Sequence, residues 1–142
     1  MNMLSEGKIK ADVWSFEFTK DTSERDFLSS ELKSDIYKLV HNGDYRSYYT
    51  PPYEICGKKF VFRVYFESGS LVSITLSPNN REPSWDNVEN GELFKDKAKN
   101  DTWLKNCFSL TAPASFTWGT IESTLDKRAG TATIVLRYKR MF

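Results

Sequence analysis

Apolar and polar positions alternate most regularly between Phe60 and Leu76, in the run FVFRVYFESGSLVSITL. A period of two is the mark of a strand with one buried face, and a glycine between two such runs predicts a β-hairpin. With Glu67, Ser68 and Gly69 as a three-residue loop, Phe66 faces Ser70, Val64 faces Val72, Phe62 faces Ile74 and Phe60 faces Leu76. Phe60, Phe62, Val64, Phe66, Val72, Ile74 and Leu76 then share one face, while Val61, Arg63, Tyr65, Leu71, Ser73 and Thr75 share the other. A two-residue Ser68-Gly69 turn would scatter serine and threonine among the phenylalanines, so the longer loop is expected. Each apolar side chain buried on that face contributes roughly 1.5–3 kcal/mol before chain entropy is subtracted. The centre of the core is expected here.

The flanking segments fall into place around this ribbon. Lys8 to Thr19 alternates well enough for a first strand, with Trp14, Phe16 and Phe18 on one side. Asp21 with Glu24 resembles a capping box opening a helix that carries Leu28, Leu32, Ile36, Leu39 and Val40 and ends at Asn42-Gly43. Pro51-Pro52 forces an extended path on Asp44 to Tyr53. Ser77 to Asn90 reads as a polar loop, and a second helix from Gly91 to Asn106, capped by Asn90, carries a thin stripe of Leu93, Phe94, Ala98 and Leu104. Phe116 to Tyr138 is a second hairpin, with Lys127-Arg128-Ala129-Gly130 as its loop. Leu125 then faces Ala132, Ser123 faces Ile134, Ile121 faces Leu136 and Gly119 faces Tyr138. The order β-α-β-β-α-β-β predicts one α+β domain over residues 1–142, an antiparallel sheet of about five strands with two helices mainly on one face.

Composition narrows the function more than it shapes the fold. Lys and Arg number 20 against 19 Asp and Glu, a formal net charge of +1, so no global field draws the chain to nucleic acid. The aromatic content of 15% suits a β-rich core or an aromatic binding surface. MNMLSEGKIKADVW lacks the apolar core of a signal peptide, and no apolar run is long enough for a membrane span, so a cytoplasmic protein is expected. Cys56 and Cys107 then read as reduced thiols.

Three groups of aromatic residues stand out. Tyr45, Tyr48, Tyr49 and Tyr53 surround Pro51-Pro52 and offer rigid amphipathic surface, so Tyr48, Tyr49 and Tyr53 are candidate partner-binding anchors unless they pack over the sheet edge. Trp85 lies in the polar stretch REPSWDNVENGE, where it either pins the loop or joins the binding surface. Trp118 shares a strand face with Phe116, Arg137 and Lys139 if its strand is unbroken. Arg63 and Tyr65 would extend that face into an aromatic, basic platform able to stack bases. A bulge at Gly119 would instead turn Phe116 and Trp118 into the core, the arrangement that burial favours.

Catalytic chemistry finds no constellation. His41 is the one histidine, and no local signature pairs it with Cys56 or Cys107. Asp86, Glu89 and Glu92 lack the spacing of a metal loop, and phosphate-loop, zinc and dinucleotide motifs are missing, so no metal or cofactor is implied.

The segments Pro83-Ser84-Trp85-Asp86-Asn87, Asn100-Asp101-Thr102-Trp103-Leu104, Trp118-Gly119-Thr120-Ile121-Glu122-Ser123 and Gly130 to Tyr138 together resemble a loose group of small bacterial proteins of unassigned role, some of them immunity partners of secreted toxins. The resemblance implies a non-enzymatic interaction protein and carries no catalytic residues. The expectation is a cytosolic immunity protein that occludes a toxin. A single-stranded nucleic-acid binder using the outer sheet face, or a small-ligand pocket between sheet and second helix, are the alternatives.

Overall fold

The computed structural model describes residues 4–78, 91–128 and 130–139. Among these, eight strands form one antiparallel sheet: β1 (Tyr37–Asn42), β2 (Tyr45–Tyr49), β3 (Tyr53–Ile55), β4 (Lys58–Glu67), β5 (Ser70–Pro78), β6 (Ala114–Phe116), β7 (Gly119–Asp126) and β8 (Thr131–Tyr138). They lie in the order β1-β2-β4-β5-β8-β7-β6, with β3 also paired to β4. Two α-helices accompany them, α1 (Glu24–Leu28) and α2 (Glu92–Phe108). None is long and apolar enough to cross a membrane.

The central hairpin is β4–β5, and Phe60, Phe62, Val64, Phe66, Ile74 and Leu76 are fully enclosed. Its loop differs from expectation. Glu67 pairs with Ser70 across a two-residue Ser68-Gly69 turn, whose φ angles of +51° and +80° are those of a type I′ connection that matches strand twist. A bulge between the Tyr65 and Phe66 pairs then absorbs Val72, so Leu71 rather than Ser70 faces Phe66, and Ile74 rather than Val72 faces Val64. The bulge restores the uniform face that the short turn would otherwise have broken. On the outer side Arg63 is exposed and Tyr65 half-buried, as anticipated, but the bulge exchanges Leu71, expected there, into the core in place of Val72.

One layer covers the core face. Residues 4–36 form an irregular cap in place of the expected first strand, reduced to an Ile9–Phe18 bridge. Trp14 lies 4.8 Å from Phe62 and Phe27 lies 5.5 Å from Phe66, ring centre to ring centre. The first helix is much shorter than its apolar spacing suggested. Ser23 and Asp26, not Asp21 and Glu24, form the capping box, and α1 stops after Leu28. A 3-10 turn at Glu31–Asp35 follows, and Tyr37–Asn42 is strand, not helix. Helix α2 lies over the other end of the sheet, where Trp103 meets the Phe60 ring at 4.8 Å and the Asn100 amide donates to the Ala132 carbonyl at 3.2 Å. Leu93 and Leu104 are buried, but Phe94 is 57% exposed.

The β7–β8 register is the expected one, Leu125 to Ala132 through Gly119 to Tyr138. Trp118, however, belongs to neither strand. Phe116 pairs with Gly119, so Thr117-Trp118 forms the β6–β7 turn. The indole folds inward, stacks parallel to Phe116 at 5.5 Å and donates from Nε1 to the Ser5 carbonyl at 2.9 Å. Gly7 passes beneath it so closely that a Cβ there would sit 2.7 Å from the ring.

Cys56 and Cys107 form a disulfide, which corrects the reading of both as free thiols. Cys56 sits in the β3–β4 turn and Cys107 in the last turn of α2, and their Cα atoms lie 6.3 Å apart, within bridging reach. A separation of 51 residues hides this pairing from any local pattern.

Candidate partner-binding surface

The covering layer stops short of one edge of the sheet. Residues of β1 pair on one side with β2, and no described strand lies on the other. Every residue of β1 is exposed, and Tyr37, Leu39 and Val40 are 53%, 43% and 45% accessible. Single exposed apolar residues are ordinary, but a run of them on an open sheet edge marks an interaction surface.

Cross-strand pairing sorts the ribbon into two faces. On the outer side Tyr37 opposes Tyr49, which opposes Arg63, and Val40 opposes Ser47, which opposes Tyr65. The Tyr37 and Tyr49 rings stack at 4.9 Å, and Tyr45 lies 6.4 Å from Tyr65. This gives a band of tyrosines with Arg63 beside it. On the core side Lys38 opposes Tyr48 and His41 opposes Arg46.

The proposed anchors separate on this geometry. Tyr49 lies in the outer band, half-buried by its stack. Tyr48 is only 2% exposed, which corrects its nomination as an anchor: strand alternation turns it into the core against Phe27. Its hydroxyl donates to Glu24 Oε2 at 2.6 Å, while Arg46 sits 3.8 Å from the same carboxylate. Burial first, and then the bond to Glu24, push the Tyr48 hydroxyl up to about 12, with Arg46 pulling the other way. Tyr53 is a tether: its hydroxyl donates to Asp35 Oδ2 at 3.1 Å and its ring meets Trp14 edge-on at 5.0 Å. Trp85 falls outside the described residues.

The nucleic-acid platform loses Trp118, which the β6–β7 turn buries. Arg137 stays exposed, with its Nε bonded to Glu122 Oε1 at 3.0 Å, and lies across Ser73 of β5 from Tyr65. Arg63 and Tyr65 remain on the outer face, and Lys139 is exposed just past β8, its backbone amide donating to the Trp118 carbonyl at 2.7 Å. Beside α2, an open cleft of about 480 Å³ is lined by Gly57, Lys58, Ala98, Lys99, Thr102 and Trp103. Lys58 donates to Asn100 Oδ1 at 3.0 Å, and burial lowers its pKa, opposed by nearby Asp96. No cluster of three or more metal-ligating side chains occurs among the described residues.

Helical spacing of Leu28, Leu32, Ile36, Leu39 and Val40 assigns Leu39 and Val40 to a buried stripe and leaves Tyr37 out of view. The contrary signal was present. Ile36 to Val40 is rich in aromatic and β-branched residues, and Asn42-Gly43 before Tyr45 reads equally well as a hairpin turn.

Fold and surface together define an α+β protein with a sheet covered on one face and an open, aromatic edge ribbon. No protein-family model matches the chain, and no curated protein does. Among solved structures it is similar to a chain from "Rhs1-CT in complex with cognate immunity protein RhsI1", with a TM-score of 0.62 at 15% identity, covering 97% of this chain and 86% of that one. At that identity the likeness speaks for the fold.

Proposed function

We propose that the chain is a non-enzymatic immunity protein that binds a toxin domain and blocks it by occlusion. The observation that carries this reading is the exposed β1–β2 ribbon on a fold shared with a chain from a toxin–immunity complex. Rigid aromatic side chains flanked by polar groups are the usual centre of a tight protein interface. Tyr37, Val40 and Tyr49 supply the apolar contact, and Arg63 and Lys38 set the association rate. The cytoplasm is the proposed site of action, where an incoming toxin domain would meet it.

The test is co-expression in a bacterial host with the reading frame immediately upstream of this gene. That frame is expected to arrest growth alone, to be tolerated with this chain, and to copurify with it. Arrest that this chain does not relieve overturns the proposal. So does arrest caused by this chain alone, which would make it the toxin half of such a pair. The tyrosines beside Arg63 favour one second reading, binding of single-stranded nucleic acid. Its mark would be oligonucleotide affinity that collapses with added salt.

A further inference from the structure

We infer that the free edge of β1 takes up an extended strand from the partner, one in which apolar residues alternate with aspartate or glutamate. The inference deepens the immunity reading and rests on it for the source of the strand. Strand β1 spans six residues, Tyr37–Asn42, with a bulge at Leu39 that brings Tyr37 and Val40 to one side and Lys38 and His41 to the other, and among the described residues no strand pairs with its outer edge. An edge of that length is a template for strand addition, with main-chain hydrogen bonds giving affinity and alternate side chains giving specificity.

The side chains select the occupant. The outer side of β1 presents Tyr37 and Val40, so an incoming strand needs apolar residues there. The core side presents Lys38 and His41, next to Arg46, and β1 carries no carboxylate. Lys38 makes no ion pair among the described residues. Glu24, a carboxylate beside this group, is taken by Arg46 and Tyr48. A lysine on an edge strand discourages pairing with neutral or basic strands, and opposite charges directly across a ladder reverse that. Paired antiparallel with a second copy of β1, Lys38 would meet no carboxylate, whereas an acidic strand supplies one, so the edge favours the acidic strand over its own copy.

The opposite edge of the sheet offers no such site. Strand β6 has three residues, and its turn residue Trp118 is folded into the core.

The test uses synthetic six-residue peptides, one alternating valine with glutamate, one alternating valine with lysine, and one with the acidic composition scrambled. Backbone NMR shifts and amide exchange of the full chain are the readouts. The acidic alternating peptide should perturb β1 and β2 and slow exchange of β1 amides, with affinity about tenfold above either control. Lys38→Glu combined with His41→Glu should reverse the preference toward the lysine peptide. Equal binding of all three peptides, binding mapped away from β1, or concentration-dependent self-association through β1 each overturns the inference. The same double variant in the growth assay separates the two proposals. Full neutralisation by the variant sinks the edge and leaves the immunity reading standing, whereas failure of the unaltered chain sinks the reading itself.

Discussion

Two hairpins of the same sheet, β4–β5 and β1–β2, are built alike and buried in opposite ways. Both turn in two residues, Ser68-Gly69 and Gly43-Asp44, and the carbonyl of Asp44 accepts from the Ser68 amide at 2.8 Å, so the two turns are joined. On β4 every second residue is an apolar side chain shut away from water. On β1 none is. The cap formed by residues 4–36 reaches Phe27 over Tyr48 and Phe66 and extends no further. Burial therefore ends at β2, and the strand beyond it is held by its ladder while its side chains stay available. Burial is concentrated in one ribbon, and the other is the one proposed for recognition.

The sharpest way to break this comparison is to truncate one residue in each. Phe62→Ala removes a fully enclosed ring that packs on Trp14, and should cost about 3–5 kcal/mol. Val40→Ala, at 45% exposure, should stay within about 0.5 kcal/mol. Urea midpoints with unchanged m-values would check both. Comparable losses at the two sites would mean that β1 is part of the core after all.

Next in size is the clip between Cys56 and Cys107. Closing a loop of 51 residues should stabilise the chain by about 2–4 kcal/mol, and Cys107→Ser or a reductant should remove that amount. Secondary structure should persist, because Trp103 Nε1 still donates to the carbonyls of Ile55 and Cys56 at 3.1 and 3.2 Å. Cytosolic conditions keep such thiols reduced, so there α2 would rely on these bonds and its buried contacts, Leu93, Leu104 and the Asn100–Ala132 bond, without the clip. Circular dichroism with and without reductant decides it. Loss of helix on reduction would show the bond, not Trp103, holding α2.

A smaller effect is expected where the two regions meet. Tyr48→Phe deletes the hydroxyl that donates to Glu24 and should cost about 1 kcal/mol. The same group makes a pH prediction. Below pH 10.0 Tyr48 keeps its proton whether the chain is folded or not, and its contribution is fully present. As pH rises from 10.0 towards about 12, the unfolded chain releases that proton while the folded one holds it, so stability falls. Tyr138, also raised by burial, adds in the same direction. The Tyr48→Phe chain should lose stability less steeply over that window, and an unchanged slope would remove Tyr48 from the account.

How far these features were legible follows from the range of the interactions behind them. The β7–β8 register could be read residue by residue, because a hairpin is local and its alternation admits one solution. The inward face of β4 was equally plain, while the bulge at Val72 was not: it reconciles a favoured two-residue turn with a face that needs one more residue. Ile36 to Val40 fits both a helix and a strand, and what decides is tertiary, since β2 offers a ladder and no described core lies on the far side for a helix face to bury against. Trp118 went into a turn because Ser5 and Gly7, more than a hundred residues away in sequence, provide its hydrogen bond and its floor. The Cys56–Cys107 pairing is hidden for the same reason. Of the proposed surface, Arg63 and Tyr65 follow from strand alternation and Tyr49 from the tyrosines around Pro51-Pro52, whereas Tyr37 and Val40 are hidden once their segment reads as helix.

The smallest expected change in stability tests the recognition half of the comparison. Tyr37 is 53% exposed, and among the described residues its ring contact is the stack on Tyr49. Cross-strand aromatic pairs of this kind contribute about 0.2–1 kcal/mol, so Tyr37→Ala should unfold almost with the unaltered chain. If Tyr37 is an anchor for the partner, the same change should cost about 2 kcal/mol or more in binding, roughly a thirtyfold loss of affinity. Calorimetric titration against the copurifying toxin domain, beside a denaturation curve for the same sample, reads both quantities. A Tyr37→Ala chain that binds normally but unfolds early would make the tyrosine stack a strut for the edge ribbon, and the partner would have to be held by Val40, Lys38 and the outer face of β4 instead.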